Sequence, residues 1–158
     1  MNIMAAVTLL ITAFSALLAV PASSAAAAAA CATDIRSAQY VTYRGQASDS
    51  SLGAVQLRED NCGNYWAYVQ IYGGALTSNE YAQAWVSRWD NGVRTAIYSC
   101  DSPGGNGHVK AGETTCVTPK IRSRNSSSLF IASAHYYHRT SSTGPWIDEY
   151  WGQTPAVR

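Results

Sequence analysis

Val55-Gln56-Leu57-Arg58-Glu59-Asp60-Asn61-Cys62-Gly63-Asn64-Tyr65-Trp66-Ala67-Tyr68-Val69-Gln70-Ile71-Tyr72 is the stretch whose reading decides the fold. Val55 to Arg58 alternates apolar and polar side chains, the period of a strand with one buried face. Asp60-Asn61-Cys62-Gly63-Asn64 is a cluster of residues that tolerate the backbone angles of a tight reversal. Tyr65 to Tyr72 is then apolar on both faces. Tyr65, Ala67, Val69 and Ile71 point one way, and Trp66, Tyr68, Gln70 and Tyr72 the other. A β-hairpin whose second arm has two apolar faces belongs at the centre of a layered β fold.

Outward from that hairpin the chain keeps the same character. Upstream, Ala32 to Gln39 reads as a polar lead-in, Tyr40 to Tyr43 as a β-branched and aromatic strand, and Gly45 to Gly53 as a loop. Downstream, the spacing of Tyr81, Trp85 and Trp89 suits either a helix face or one face of a strand. The Asp90-Asn91-Gly92 turn decides for the strand, because such a turn needs a strand before it and Val93 to Ser99 alternates after it. Asp101 to Gly107 is a Gly-rich loop, and Ile121 to Ser128 is basic, Ser-rich and expected at the surface. Leu129 to His138 is a strand with Phe130, Ala132, Ala134 and Tyr136 on one side. Trp146 to Trp151 is the last strand. Short strands with turn signals between them predict an all-β protein, an antiparallel sandwich or barrel-like sandwich.

The N-terminus reads as a secretory signal. Ala5 to Val20 is uncharged and apolar, and Pro21, small residues and the Ala25 to Ala30 tract follow. The run is short for a spanning helix and no basic stop-transfer cluster follows, so no integral membrane anchor is expected. Cleavage between Ala25 and Ala30 leaves one domain, 31–158. The net charge of +1 lacks the basic stripe of a nucleic-acid-binding protein. The four cysteines all follow the signal, an even count that in an exported chain reads as two disulfides. Three pairings exist. Joining successive cysteines gives Cys31–Cys62 and Cys100–Cys116, each across a plausible loop. No zinc-site spacing is present.

Cys31-Ala32-x-Asp34, Tyr40-x-Thr42 and Val55-x-Leu57-Arg58-x-x-x-Cys62-x-x-x-Trp66-Ala67-x-Val69 together resemble the YjfA-like family of small exported bacterial proteins of unknown function. Its recurring core is a V-x-L-R segment, a cysteine four residues after the arginine, and a W-A-R-V-like strand. The resemblance covers about the first third of the exported part. Tyr68 stands where many members carry a basic residue, so any role of that charge is absent here. The resemblance implies export, a β-rich fold and a disulfide through Cys62. It implies no catalyst.

The chain contains no G-x-S-x-G, H-E-x-x-H or P-loop motif. His135 and His138 face opposite ways on a strand, which argues against a metal pair. Asp148 and Glu149 do the same, so they cannot work together as a glycosidase pair. Asp101, Asn106 and Glu113 offer oxygens for calcium, but at no known loop spacing. The compositional excess is aromatic: five Trp and ten Tyr against two Phe. With Ala82, Ala84 and Val86 facing the core, Tyr81, Trp85 and Trp89 take the other face of their strand as a candidate binding row. The expected protein is a secreted, monomeric, cofactor-free module that binds an extracellular polysaccharide or a protein partner. The alternatives are a secreted hydrolase with an unrecognised site, and an inhibitor that presents the Cys100–Cys116 loop to a hydrolase.

Overall fold

The computed structural model describes residues 30–46, 51–74 and 76–158. Residues 1–29 of the expected signal segment lie outside the described residues, as do residues 47–50 of the expected Gly45–Gly53 loop, whose last three residues are strand instead. Among the described residues nine strands follow one another: β1 (Thr33–Tyr43), β2 (Ser51–Asp60), β3 (Asn64–Ile71), β4 (Glu80–Asp90), β5 (Val93–Ser99), β6 (Thr115–Val117), β7 (Ile121–Arg122), β8 (Leu129–His138) and β9 (Ile147–Gln153). They form one antiparallel sheet in the order β5-β4-β8-β9-β1-β2-β3-β6, with β7 also on β3. The sheet curls into a half-barrel, so the fold is all-β as the alternating patterns require.

The Val55–Tyr72 hairpin is β2 and β3, paired from Gly53↔Ile71 to Glu59↔Tyr65. Its turn is held by Asp60, whose Oδ1 accepts from the N–H groups of Cys62 and Asn64. In β3 the inward set, Tyr65, Ala67, Val69 and Ile71, enters the core with Val55 and Leu57 of β2. The sheet bends far enough for Tyr65 to stack on Phe130 of β8, ring centroids 3.8 Å apart. Two glycines permit the bend. A Cβ on Gly53 would lie 2.2 Å from the Gln70 carbonyl oxygen, and one on Gly152 would lie 2.4 Å from that of Tyr40. Trp66 is 6 % exposed although it sits on the outer face. The Lys120 ammonium covers it, 4.5 Å from the ring centroid.

Three local expectations change. Ala32–Gln39 is not a lead-in: from Thr33 onward it is strand β1, paired with β2 along its length. It lacks apolar alternation because β9 reaches only Thr42 and Tyr43, leaving the rest of β1 as an exposed edge. Ile121–Ser128 is not surface throughout. Ile121 joins the core, and Ser128 is buried with its hydroxyl donating to Asp90 Oδ1 at 2.6 Å. The last strand begins one residue later than Trp146 and runs on to Gln153.

The two ends of the sheet order, β5 and β6, share no ladder. Cys100 and Cys116 close the gap covalently, Cα atoms 6.0 Å apart and both side chains fully buried. The 101–109 loop closes it further. Gly107 N–H donates to the Cys100 carbonyl, Asn106 N–H donates to that of Val117, and Val109 bridges to Ala82. The second disulfide, Cys31–Cys62, ties the start of β1 to the β2–β3 turn. No helix among the described residues is long and apolar enough to cross a membrane.

Candidate functional site

Strand pairing builds the outer face of the sheet from β4, β8 and β9. Residues directly opposite in an antiparallel ladder point to the same side. Tyr81 is opposite Tyr137, which is opposite Asp148. Gln83, His135 and Trp151 form the next row, and Trp85, Ser133 and Gln153 the one after. Ala82, Ala84, Val86 and Arg88 take the inner side and are buried.

The face is more than a row of rings. Tyr81 stacks on Tyr137 at 4.5 Å, with Trp146 edge-on at 4.7 Å and His108 edge-on at 5.5 Å. Trp85 meets His135 edge-on at 5.4 Å. Trp89 lies apart at the turn end, its indole N–H donating to Ser87 Oγ and Arg94 over its ring. Tyr81, Trp85 and Trp89 are therefore on the outer face, each half-buried by its neighbours. The indoles that reach furthest into solvent are Trp146 and Trp151, each 42 % exposed. Trp151 lies flat over Gly45, where an added Cβ would fall 2.4 Å from the indole.

Two histidine–aspartate pairs flank the stacked tyrosines. His135 Nδ1 is 2.7 Å from Asp148 Oδ2, and His108 Nδ1 is 3.0 Å from Asp101 Oδ1. Gln83 Nε2 donates to Asp101 Oδ2 at 2.8 Å, while its own Oε1 is buried with no partner. Burial pushes the Asp101 carboxyl up, but the His108 ring and N–H and the Gln83 amide more than offset it and hold it below the usual range. Burial raises Tyr81, and the charges of Asp148 and Asp101 add to it, so both carboxylates act on the same phenol. Tyr137 is pushed up to about 12 by burial, Asp148 and Tyr81. The face thus combines aromatic surface with ionised acceptors and imidazoles.

The remaining sequence candidates fall elsewhere. Glu149 is the extra residue of a β-bulge, so it leaves Asp148 behind on the outer face and lines a cleft of about 410 Å³ at the barrel mouth. Glu80, Tyr136, His138, Arg139 and Tyr150 line the same cleft. There the Tyr136 hydroxyl and the Thr77 N–H hold the Glu80 carboxyl below its usual range. Asn106 and Glu113 accept from the Val117 and Lys110 N–H groups and so cap their own loop. Among the described residues, the only group of three or more His, Cys and carboxylate side chains close enough to share a metal ion is Cys31, Asp60 and Cys62, and both cysteines are disulfide-bonded.

Sequence reasoning found the β4 parity but missed the two His–Asp pairs and the roles of Trp146 and Trp151. Asp101 and His108 are seven residues apart in an irregular loop. Asp148 and His135 come together only because β9 lies against β8 with a bulge.

No family model matches the chain, and no solved structure matches it. It is similar to the uncharacterized protein YjfA of Bacillus subtilis, 38 % identical over 76 residues. That match covers 48 % of this chain and 46 % of YjfA, so the chain spans about half the length of that relative.

Proposed function

We propose that the protein is a secreted, non-catalytic binding module that holds an extracellular polysaccharide on the outer face of β4, β8 and β9. The observation that carries this reading is the Tyr81–Tyr137–Trp146 cluster with exposed Trp151, flanked by the Asp101–His108 and Asp148–His135 pairs. Indole and phenol rings offer flat apolar faces to the C–H side of a sugar ring. Carboxylates and imidazoles at the edge satisfy the hydroxyls that would otherwise lose their water. Two disulfides suit an oxidising compartment, which supports export.

The hydrolase alternative draws less support. Asp60, Glu80, Asp90 and Asp101 all have carboxyls held below their usual range. A glycosidase acid needs the opposite displacement. No serine or threonine hydroxyl among the described residues hydrogen-bonds to His108 or His135, so neither pair has a nucleophile in reach.

Co-sedimentation of the oxidised protein with insoluble polysaccharides tests the proposal, using peptidoglycan, chitin and cellulose as probes. Retention on at least one is expected. Trp146→Ala with Trp151→Ala should weaken it at least tenfold while leaving the melting temperature nearly unchanged. Failure to sediment with any of the three, or full retention of the double variant, refutes it.

A further inference from the structure

The open seam of the half-barrel carries a second site, chemically unlike the aromatic face and sharing no residue with it. Between β5 and β7 lies a cleft of about 360 Å³, walled by Arg88, Lys120, Arg122 and Arg124 with Thr95 and Tyr98 opposite. Concentrating four cations there in a chain of net charge +1 calls for a physical reason.

The cations are not equivalent. Lys120 is paired with Asp60 at 2.8 Å and leans on Trp66. Arg122 and Arg124 are exposed, and their side chains have no hydrogen-bond or ion-pair partner among the described residues. Arg88 is the informative one. It sits on the inner face of β4, is 6 % exposed, and reaches the cleft from below. Its Nε donates to Asp90 Oδ2 at 3.0 Å and to Thr95 Oγ1 at 3.2 Å, and its Nη1 donates to the Arg122 carbonyl at 3.0 Å. Those bonds fix the guanidinium plane. Its Nη2 has no partner among the described residues, and it is not among their sealed, unpaired polar atoms. It therefore opens into the cleft.

A buried, orientationally fixed guanidinium with an unused donor edge, beneath two uncompensated arginines, is the arrangement that recognises an oxyanion. Asp90 balances one charge and Asp60 another, which leaves the pair Arg122 and Arg124 uncompensated and able to hold the oxygens of an anion. We infer that the seam cleft binds a tetrahedral oxyanion, the phosphate or sulfate group of an ester carried by an extracellular polymer. Arg88 Nη2 forms the floor, Arg122 and Arg124 the clamp, and the Tyr98 and Thr95 side the opposite wall.

Nuclear magnetic resonance titration of the oxidised full-length protein with inorganic phosphate and with inorganic sulfate, at constant ionic strength, tests this. Saturable shifts are expected at the Arg88 guanidinium and at Tyr98 and Ser123, with sodium chloride producing none of them. Arg122→Gln with Arg124→Gln should weaken binding at least tenfold. Both side chains are exposed and the Arg122 carbonyl is untouched, so the fold survives. Trp146→Ala with Trp151→Ala should bind the anions as wild type does, which separates this result from the fate of the polysaccharide proposal. Competition by a polyphosphate or by a sulfated polysaccharide then identifies which ester is preferred. Equal shifts with chloride, shifts confined to the aromatic face, undiminished binding by the arginine double variant, or competition by neither polymer would overturn the inference.

Discussion

Removing Cys100–Cys116 should cost more than removing Cys31–Cys62, although its loop is half as long. The loop-entropy argument alone ranks them the other way. Sequence separations of 16 and 31 residues give about 3 and about 3.7 kcal/mol respectively. The structure reverses the order. Cys100 and Cys116 are fully buried members of the core, whereas Cys62 is exposed at the turn. Replacing both buried cysteines by alanine leaves two sulfur-sized voids, about 1 kcal/mol each. The same bridge is the covalent closure between strands that share no ladder, so the sum for Cys100→Ala/Cys116→Ala is about 5 kcal/mol. The Cys31→Ala/Cys62→Ala variant should lose about 3 to 4 kcal/mol. Urea unfolding followed by tryptophan fluorescence, compared at equal slope, measures both. Native-state hydrogen exchange adds a local readout. In the first variant the Gly107, Asn106 and Val109 amides, whose hydrogen bonds tie the 101–109 loop to Cys100, Val117 and Ala82, should lose protection. An equal or larger loss from the Cys31–Cys62 variant, or unchanged protection at those amides, would refute the assignment of the seam as the weak line of the fold.

Trp66→Ala should cost about 3 to 5 kcal/mol, because the indole is enclosed beneath Lys120, and a melting curve at wild-type temperature would contradict that enclosure. Acid should weaken the protein through Asp60. Burial pushes its carboxyl up, but Lys120 and the Asn64 donors more than offset this and lower it from 3.8 to about 2. A depressed folded pKa means the stabilisation is present above about 4 and lost as pH falls toward about 2, so Asp60→Asn should flatten the stability profile in that window. Alkali should do the reverse through Tyr65 and Tyr137, both pushed up from 10.0 to about 12, with burial the leading cause for each. Their stabilisation is complete below pH 10 and lost as pH rises toward 12, and ultraviolet titration of Tyr65→Phe and Tyr137→Phe variants should lose phenolate signal near the top of that window. Gly45→Ala should displace the Trp151 indole and strain a left-handed backbone, seen as a shifted emission maximum with lowered stability.

The hairpin, the β4 register face and the inward side of β8 were legible because each strand carries its own period of two. Ala82, Ala84 and Val86 announce an inner face without reference to any partner strand. The polar part of β1 was illegible because an edge strand has no buried face to write into the sequence. The aromatic site was half legible for a related reason. Tyr81 and Trp85 share a strand, and local parity places them together. Trp146, Asp148 and Trp151 reach them only through the β8–β9 ladder and its bulge at Glu149, and His108 only through a loop that folds back across β4. The seam cleft required knowing which strands terminate the sheet, information held in the pairing order and not in any segment.

The unladdered end of the sheet sets a hazard of self-association. Even with Cys100 bonded to Cys116, β5 ends the sheet order and displays Val93, Ile97 and Tyr98 to solvent at 64, 47 and 42 %. Such an edge is a template for a second chain. A second copy docking there would extend the sheet by strand addition. Arg94 within the same strand opposes that docking by charge, as gatekeeper residues do. The Cys100–Cys116 bridge fixes where β5 sits without covering its edge, so the charge of Arg94 carries the protection that the bridge does not.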